Sequence, residues 1–226
     1  MATKVLIPQL HPSDYTFPNP TDASTEGLLA WGGDLKPERL LRAYVQGIFP
    51  WFNEGDPILW WSPNPRLILL PSDIKISKSL AKSMNHFDIR YDTCFEDVMR
   101  SCLGTRLAKG QKSWISEDII AAFCDLHAQG FAHSVECFYE EKLVGGLYGL
   151  YLGGVFCGES MFSTKSDASK TALVGLCGKL NYLGGDFIDC QLPTDHLQSL
   201  GASVISREKF LVMLENALEN CTTQPW

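Results

Sequence analysis

Asp189 and Gln191 stand two apart in the apolar run Phe187–Gln191, which reads as a strand, so their side chains share one face. A carboxylate beside a carboxamide in that register can hold the amide in one orientation. The amide carbonyl is then left to accept a hydrogen from an amine. Glu159 follows a second apolar run, Val155 to Gly158, and reaches Gln191 if the two strands are neighbours. A carboxylate there can grip an ammonium group. The same residues also make an ordinary buried polar pair and an ordinary loop carboxylate, so by type and spacing alone both readings stand.

Other chemistries are less well supplied. The eight cysteines form no CxxC pair, and most sit in apolar stretches such as Val135-Glu136-Cys137-Phe138. The five histidines are scattered. That pattern predicts reduced, mostly buried cysteines and no metal site. The net charge of -7 argues against a general nucleic-acid binder, but it conceals an asymmetry. From Arg66 to Lys112 nine basic residues face five acidic ones, whereas the rest of the chain has ten basic and twenty-one acidic. A basic island of that size suits a local anionic contact.

The elements that must hold these residues fall into two textures. The 226-residue chain is 45% apolar, enough to bury a sizeable core, and no apolar run is long enough to span a membrane. Nor does the start resemble a signal peptide, so the chain reads as soluble and cytoplasmic. Most of the twelve prolines lie within residues 8–65, where aromatics crowd Phe49-Pro50-Trp51-Phe52 and Trp60-Trp61. This predicts a small lobe over residues 1–63, with one helix begun by Pro37, faced by Leu40, Leu41, Tyr44 and Val45, and ended by Gly47. Residues 64–226 read as a regular α/β (α+β) domain. Leu67–Leu70 is a buried strand, followed by a short helix carrying Leu80 and Met84. Thr93 and Glu96 form a capping box for the helix bearing Phe95, Val98, Met99 and Cys102. Ser116 caps a helix ending at Gly130. Strands His133–Tyr139, Leu143–Tyr151 and Val155–Gly158 precede a helix over 167–182, the strand Phe187–Gln191 and a last helix from Ser206 to about Asn220.

Strand–strand–strand–helix–strand is the order of the acetyltransferase-like (GNAT) fold, so a GNAT-like C-terminal domain is expected. An acetyl-CoA enzyme needs a glycine-rich turn at the start of the central helix, where free N–H groups hold the pyrophosphate. Here the corresponding segment, Glu159 to Asp167, has no glycine and two carboxylates. Acetyl-CoA is a poor candidate.

Seven motifs then recur in order along nearly the whole chain. They are Gly47-Ile48-Phe49-Pro50-Trp51, Trp60-Trp61-Ser62-Pro63, His133-Ser134-Val135-Glu136, Gly145-Gly146-Leu147-Tyr148-Gly149, Gly158-Glu159-Ser160-Met161-Phe162-Ser163, Ala168-Ser169-Lys170 and Ile188-Asp189-Cys190-Gln191. Together the chain resembles the bacterial leucyl/phenylalanyl-tRNA–protein transferases. It departs at Asn64, where aspartate is commoner, and at Leu147, where methionine can stand; the latter swap conserves volume.

The resemblance implies transfer of Leu or Phe, and Met less well, from leucyl-, phenylalanyl- or methionyl-tRNA to the N-terminal Arg or Lys of a protein, marking it for degradation. It implies a monomer with no cofactor and no metal. It makes Asp189, Gln191 and Glu159 the catalytic set, with Gln191 orienting more than acting as a base; which amine Glu159 holds stays open. Trp51, Trp114, Phe123, Leu147, Phe156 and Leu176 are carried over as walls of the donor pocket and the adjoining adenosine platform. From the basic island, Lys78, Lys82, Arg90 and Lys109 are expected on tRNA phosphates. Two rivals share these features: a non-catalytic module that binds a peptide or RNA end, and an aminoacyl-tRNA-dependent transferase acting on a peptidoglycan precursor.

Overall fold

The computed structural model describes residues 7–110, 112–219 and 226. A four-stranded sheet takes up the proline-rich part: β1 (Gln9–Leu10), β2 (Leu28–Gly32), β3 (Phe49–Pro50) and β4 (Leu59–Trp61), ordered β1-β2-β4-β3. Helix α1 (Pro37–Tyr44) lies between β2 and β3 and begins on Pro37, whose fixed φ suits a first turn. It buries Leu40, Ala43 and Tyr44, whereas Val45, expected on that face, is 41% exposed.

The larger part is a mixed sheet. In chain order its elements are β5 (Arg66–Leu69), α2 (Lys78–Met84), β6 (Asp88–Tyr91), α3 (Phe95–Ala108), α4 (Glu117–Ala128), β7 (Ala132–Tyr139), β8 (Lys142–Leu152), β9 (Val155–Ser163), α5 (Ala168–Leu183), β10 (Phe187–Gln191), α6 (Asp195–Ser199), β11 (Ser203–Ile205) and α7 (Arg207–Glu219). The strands run β11-β5-β10-β9-β8-β7-β6, and only β9 and β10 pair in parallel. The run β7–β8–β9–α5–β10 is the order expected from the sequence. One apolar cluster joins α3, α4, α7 and the small sheet to one face; a second packs α5 on the other.

Two local features decide where the site forms. Pairing of β9 with β10 ends at Cys157 and Asp189, although β9 runs on to Ser163. Beyond that point the parallel strands part and leave a slot in the sheet. Just there β9 bulges. Tyr148 of β8 pairs with Ser160 and Gly149 with Gly158, so Glu159 is the extra residue between them. Gly149 permits this close approach, because a Cβ there would run into the Cys157 carbonyl oxygen. Strand β9 is therefore longer than expected, and Glu159 lies within it rather than after it.

The expected capping box fails. Thr93 does not cap α3, whose N-cap is Cys94 without a side-chain bond. Its hydroxyl instead donates to Glu136 Oε2 at 3.1 Å, while Glu96 pairs with Arg100. Satisfying the fully buried Glu136 outweighs a cap worth about 1 kcal/mol. Ser116 does cap α4, accepting from the Ile119 N–H at 3.3 Å.

Candidate active site

At the parted strands lies a cavity of about 380 Å³ lined from the apolar clusters on both faces of the sheet. On the α5 face it is apolar, walled by Leu147, Phe156, Met161, Leu173, Leu176 and Ile188. On the opposite face Phe49, Pro50, Trp51, Trp114, Tyr148 and Arg106 line it. Glu159 and Gln191 stand at the neck between the two parts.

Glu159 Oε1 accepts from the Tyr44 hydroxyl at 2.7 Å and from Gln191 Nε2 at 2.8 Å. Among the described residues no donor meets Oε2. The Gln191 amide is thus turned with its nitrogen on the carboxylate, and its carbonyl oxygen has no partner among the described residues. Glu159, not Asp189, sets that orientation. Burial is the largest influence on the Glu159 carboxyl and raises it from 4.5 to about 8, with the two donors and Arg66 pulling the other way.

Asp189 does not reach the cavity. It is 1% exposed, held by Arg66 through Nε at 2.8 Å and Nη2 at 2.5 Å. Its Oδ1 also accepts from the Gln191 backbone N–H at 2.9 Å. This bond fixes Gln191 in the left-handed region, φ 63°, after a bulge at Cys190 that shifts the β5 register. The bulge breaks the simple alternation that put Asp189 and Gln191 on one face. Arg66 is itself sandwiched by the Phe49 and Phe210 rings, 4.9 and 4.3 Å from its guanidinium carbon, and donates to the Gly47 carbonyl. Asp189 thus holds Arg66 and the Gln191 backbone and does not line the cavity.

Of the six carried-over pocket residues, Trp51, Trp114, Leu147, Phe156 and Leu176 line the cavity. Phe123 does not: it is fully buried in α4 and meets the Tyr148 ring edge-on, centroids 5.7 Å apart. Lys78 and Lys82 sit one turn apart on exposed positions of α2, and Lys109 follows α3. Arg90 already engages Asp88 and Glu141, each at 2.8 Å, so it is not a free cation.

Tyr44, Arg66, Arg106 and Tyr148 escaped the sequence reading as site residues. Locally, Arg66 and Arg106 are only members of the basic island, Tyr44 one residue of an apolar helix face, and Tyr148 one residue of the Gly145–Gly149 motif. Cys190 also borders the cavity, but burial pushes its thiol far up, so it is no thiolate nucleophile. The seven described cysteines are unpaired; Cys221 lies outside the described residues. The histidines are less scattered than their spacing suggested. His127, His133 and Asp92 bring ligand atoms within 4.8 Å of one another. In that cluster His133 faces Asp92 at 2.8 Å and the Gly130 carbonyl at 3.1 Å, and His127 faces the Ala132 carbonyl at 2.8 Å. These bonds tie the α4–β7 turn together.

A family model described as leucyl/phenylalanyl-tRNA protein transferase matches residues 68–215, and one described as its N-terminal domain matches 33–64. A leucyl/phenylalanyl-tRNA–protein transferase of Sulfurimonas denitrificans is 51% identical over 98% of this chain and 97% of its own. One from Legionella pneumophila (strain Corby) is 52% identical over 92% and 93%, and one from Syntrophobacter fumaroxidans 52% over 93% and 91%. None of the described helices is long and apolar enough to cross a membrane.

Proposed function

Since the chain belongs to the leucyl/phenylalanyl-tRNA–protein transferase family, we propose that it moves Leu or Phe, and Met less well, from charged tRNA to proteins beginning with Arg or Lys, in the cytoplasm. It is an aminoacyltransferase. The observation that carries the finer reading is the neck, where Glu159 and Gln191, each with one acceptor oxygen unmet among the described residues, border an apolar chamber.

The reaction needs a neutral amine, a placed ester and little else. The attacking α-ammonium has a pKa of about 7.7–8.0, and the Glu159 carboxyl is raised into the same range. A carboxylate of matched basicity takes the N–H of the incoming amine as the new C–N bond forms. Gln191 Oε1 holds the second hydrogen and fixes the direction of attack. The ester C–O bond then breaks, and the ribose oxygen leaves with a proton. The donor side chain fills the chamber of Leu147, Phe156 and Leu176, while Trp51 and Trp114 flank the terminal adenosine. Lys78, Lys82 and Lys109 meet phosphates further along the tRNA.

Charged leucyl-tRNA incubated with an Arg-starting peptide should yield a peptide heavier by one leucyl residue. An unchanged peptide would sink the reading, in favour of a non-catalytic binder. Extension only of a cell-wall precursor amine would favour the peptidoglycan-bridge class.

The chamber reads shape, so discrimination is graded, about 1–3 kcal/mol per methylene. Phe156→Leu, or Phe156→Ala where it folds, enlarges it. The Leu-to-Phe ratio of kcat/KM should fall, because the larger side chain fills part of the vacated volume. Competition between the two charged tRNAs measures the ratio; an unchanged ratio in a folded variant would remove Phe156 from the pocket wall.

A further inference from the structure

Helix α3 covers strands β8 and β9 with Phe95, Val98, Met99 and Cys102, a helical stripe of buried residues. One turn beyond Cys102 the same stripe places Arg106, where an apolar residue would continue the pattern. Arg106 lines the cavity, as Trp51 and Trp114 do. Among the described residues it meets no carboxylate and no hydrogen-bond acceptor. A half-buried guanidinium without a protein acceptor keeps its forked donors available to an anionic ligand.

A second group in the same wall has the same deficit. Tyr148 is fully buried, and its hydroxyl has no hydrogen-bond partner among the described residues. Its ring is clamped edge-on by Phe95 and Phe123, so it cannot swing out to water. Burial raises the phenol well above its ordinary range, so it stays a donor, and Arg106 is close enough to act on it electrostatically. A buried hydroxyl without a partner calls for an explanation, and an arriving ligand is one.

The ligand must offer an anionic oxygen to a forked donor and a neutral oxygen to a phenol, next to aromatic faces. A nucleotide meets all three requirements. The acceptor's N-terminal segment is cationic, so Arg106 would repel it. We propose that Arg106 binds the phosphodiester joining the donor's terminal adenosine to the preceding nucleotide, while the Tyr148 hydroxyl donates to a ribose oxygen of that adenosine. This rests on the transferase reading above. It assigns the last phosphodiester to a cavity residue rather than to the lysines of the basic island.

Two small donors separate the possibilities: phenylalanyl-adenosine, which has no phosphodiester, and the phenylalanyl ester of the cytidylyl-adenosine dinucleotide. Arg106→Gln should lower kcat/KM for the dinucleotide at least about tenfold, mainly through KM, the loss typical of one charge-assisted hydrogen bond. Transfer from phenylalanyl-adenosine should stay within about twofold. Arg106→Lys should recover part of the dinucleotide preference, since a point charge replaces the fork. Tyr148→Phe should lower both donors alike, because both carry the ribose. Equal loss with both donors for Arg106→Gln, or loss with neither, would overturn the assignment. Failure of the unmodified protein to transfer from either donor would instead overturn the transferase reading.

Discussion

Asp189→Leu and Arg66→Met should each destabilise the protein by about 3–5 kcal/mol, because either one leaves its partner as a buried, unpaired charge. For a chain of this size that is a fall of roughly 6–20 °C in Tm. Both side chains are nearly inaccessible, and Arg66 spans the seam between the small sheet and the large one, bonding Gly47 and touching Phe49. The double variant should recover most of the lost stability, since methionine fits between the Phe49 and Phe210 rings and the leucine is not charged. Its activity should not return with its stability. Without the Asp189 oxygen, the Gln191 N–H has no acceptor and the left-handed backbone at Gln191 relaxes. Transfer should remain at least tenfold down, about 1.4 kcal/mol in the barrier. Thermal melts and donor-saturated turnover on the three variants decide the matter. Full turnover in the double variant would show that the pair serves stability alone.

The order of elements was readable because each depends on neighbours in sequence. Ser116 caps α4, Pro37 opens α1, and the apolar runs at 187–191, 133–139 and 143–151 become strands, the last two each a residue or so longer than they read. Where a residue's partner is far along the chain, local rules mislead. Thr93 has the spacing of a capping box but is claimed by Glu136, forty-three positions away. Asp189 has the spacing to hold the Gln191 side chain, but Arg66, 123 positions away, takes its carboxylate instead. The bulges at Glu159 and Cys190 have no signature in a period-two pattern, since one inserted residue reverses every face assignment after it. The site residues of β9 and β10 could be named from their motifs. Their wiring, Tyr44 to Glu159 to Gln191 and Arg66 to Asp189, could not, because it joins four separate elements.

Glu159→Gln should separate stability from activity in opposite directions. In the folded protein the Glu159 carboxyl holds its proton up to about pH 8, whereas its ordinary value is 4.5. Between those values the folded state binds the proton that the unfolded state has released, so this residue's contribution to stability falls as pH rises. Glutamine cannot ionise and still accepts from Tyr44 and donates or accepts toward Gln191. The variant should therefore melt above the unmodified protein at pH 8 and near it at pH 5. Transfer should move the other way, falling about 10- to 100-fold at pH 8, the range for losing one charged acceptor to the reacting amine. The pH profile carries the sharper test. With Glu159 present, both the carboxyl and the attacking ammonium must lose a proton, so log kcat/KM should climb with a slope approaching two below both values. With glutamine only the amine titrates, and the slope should drop to one. A variant that is slower yet keeps the steeper slope would mean that another group beside the neck takes the amine's hydrogen, and His196, at the cavity edge with its pKa lowered by burial, would be the next residue to replace.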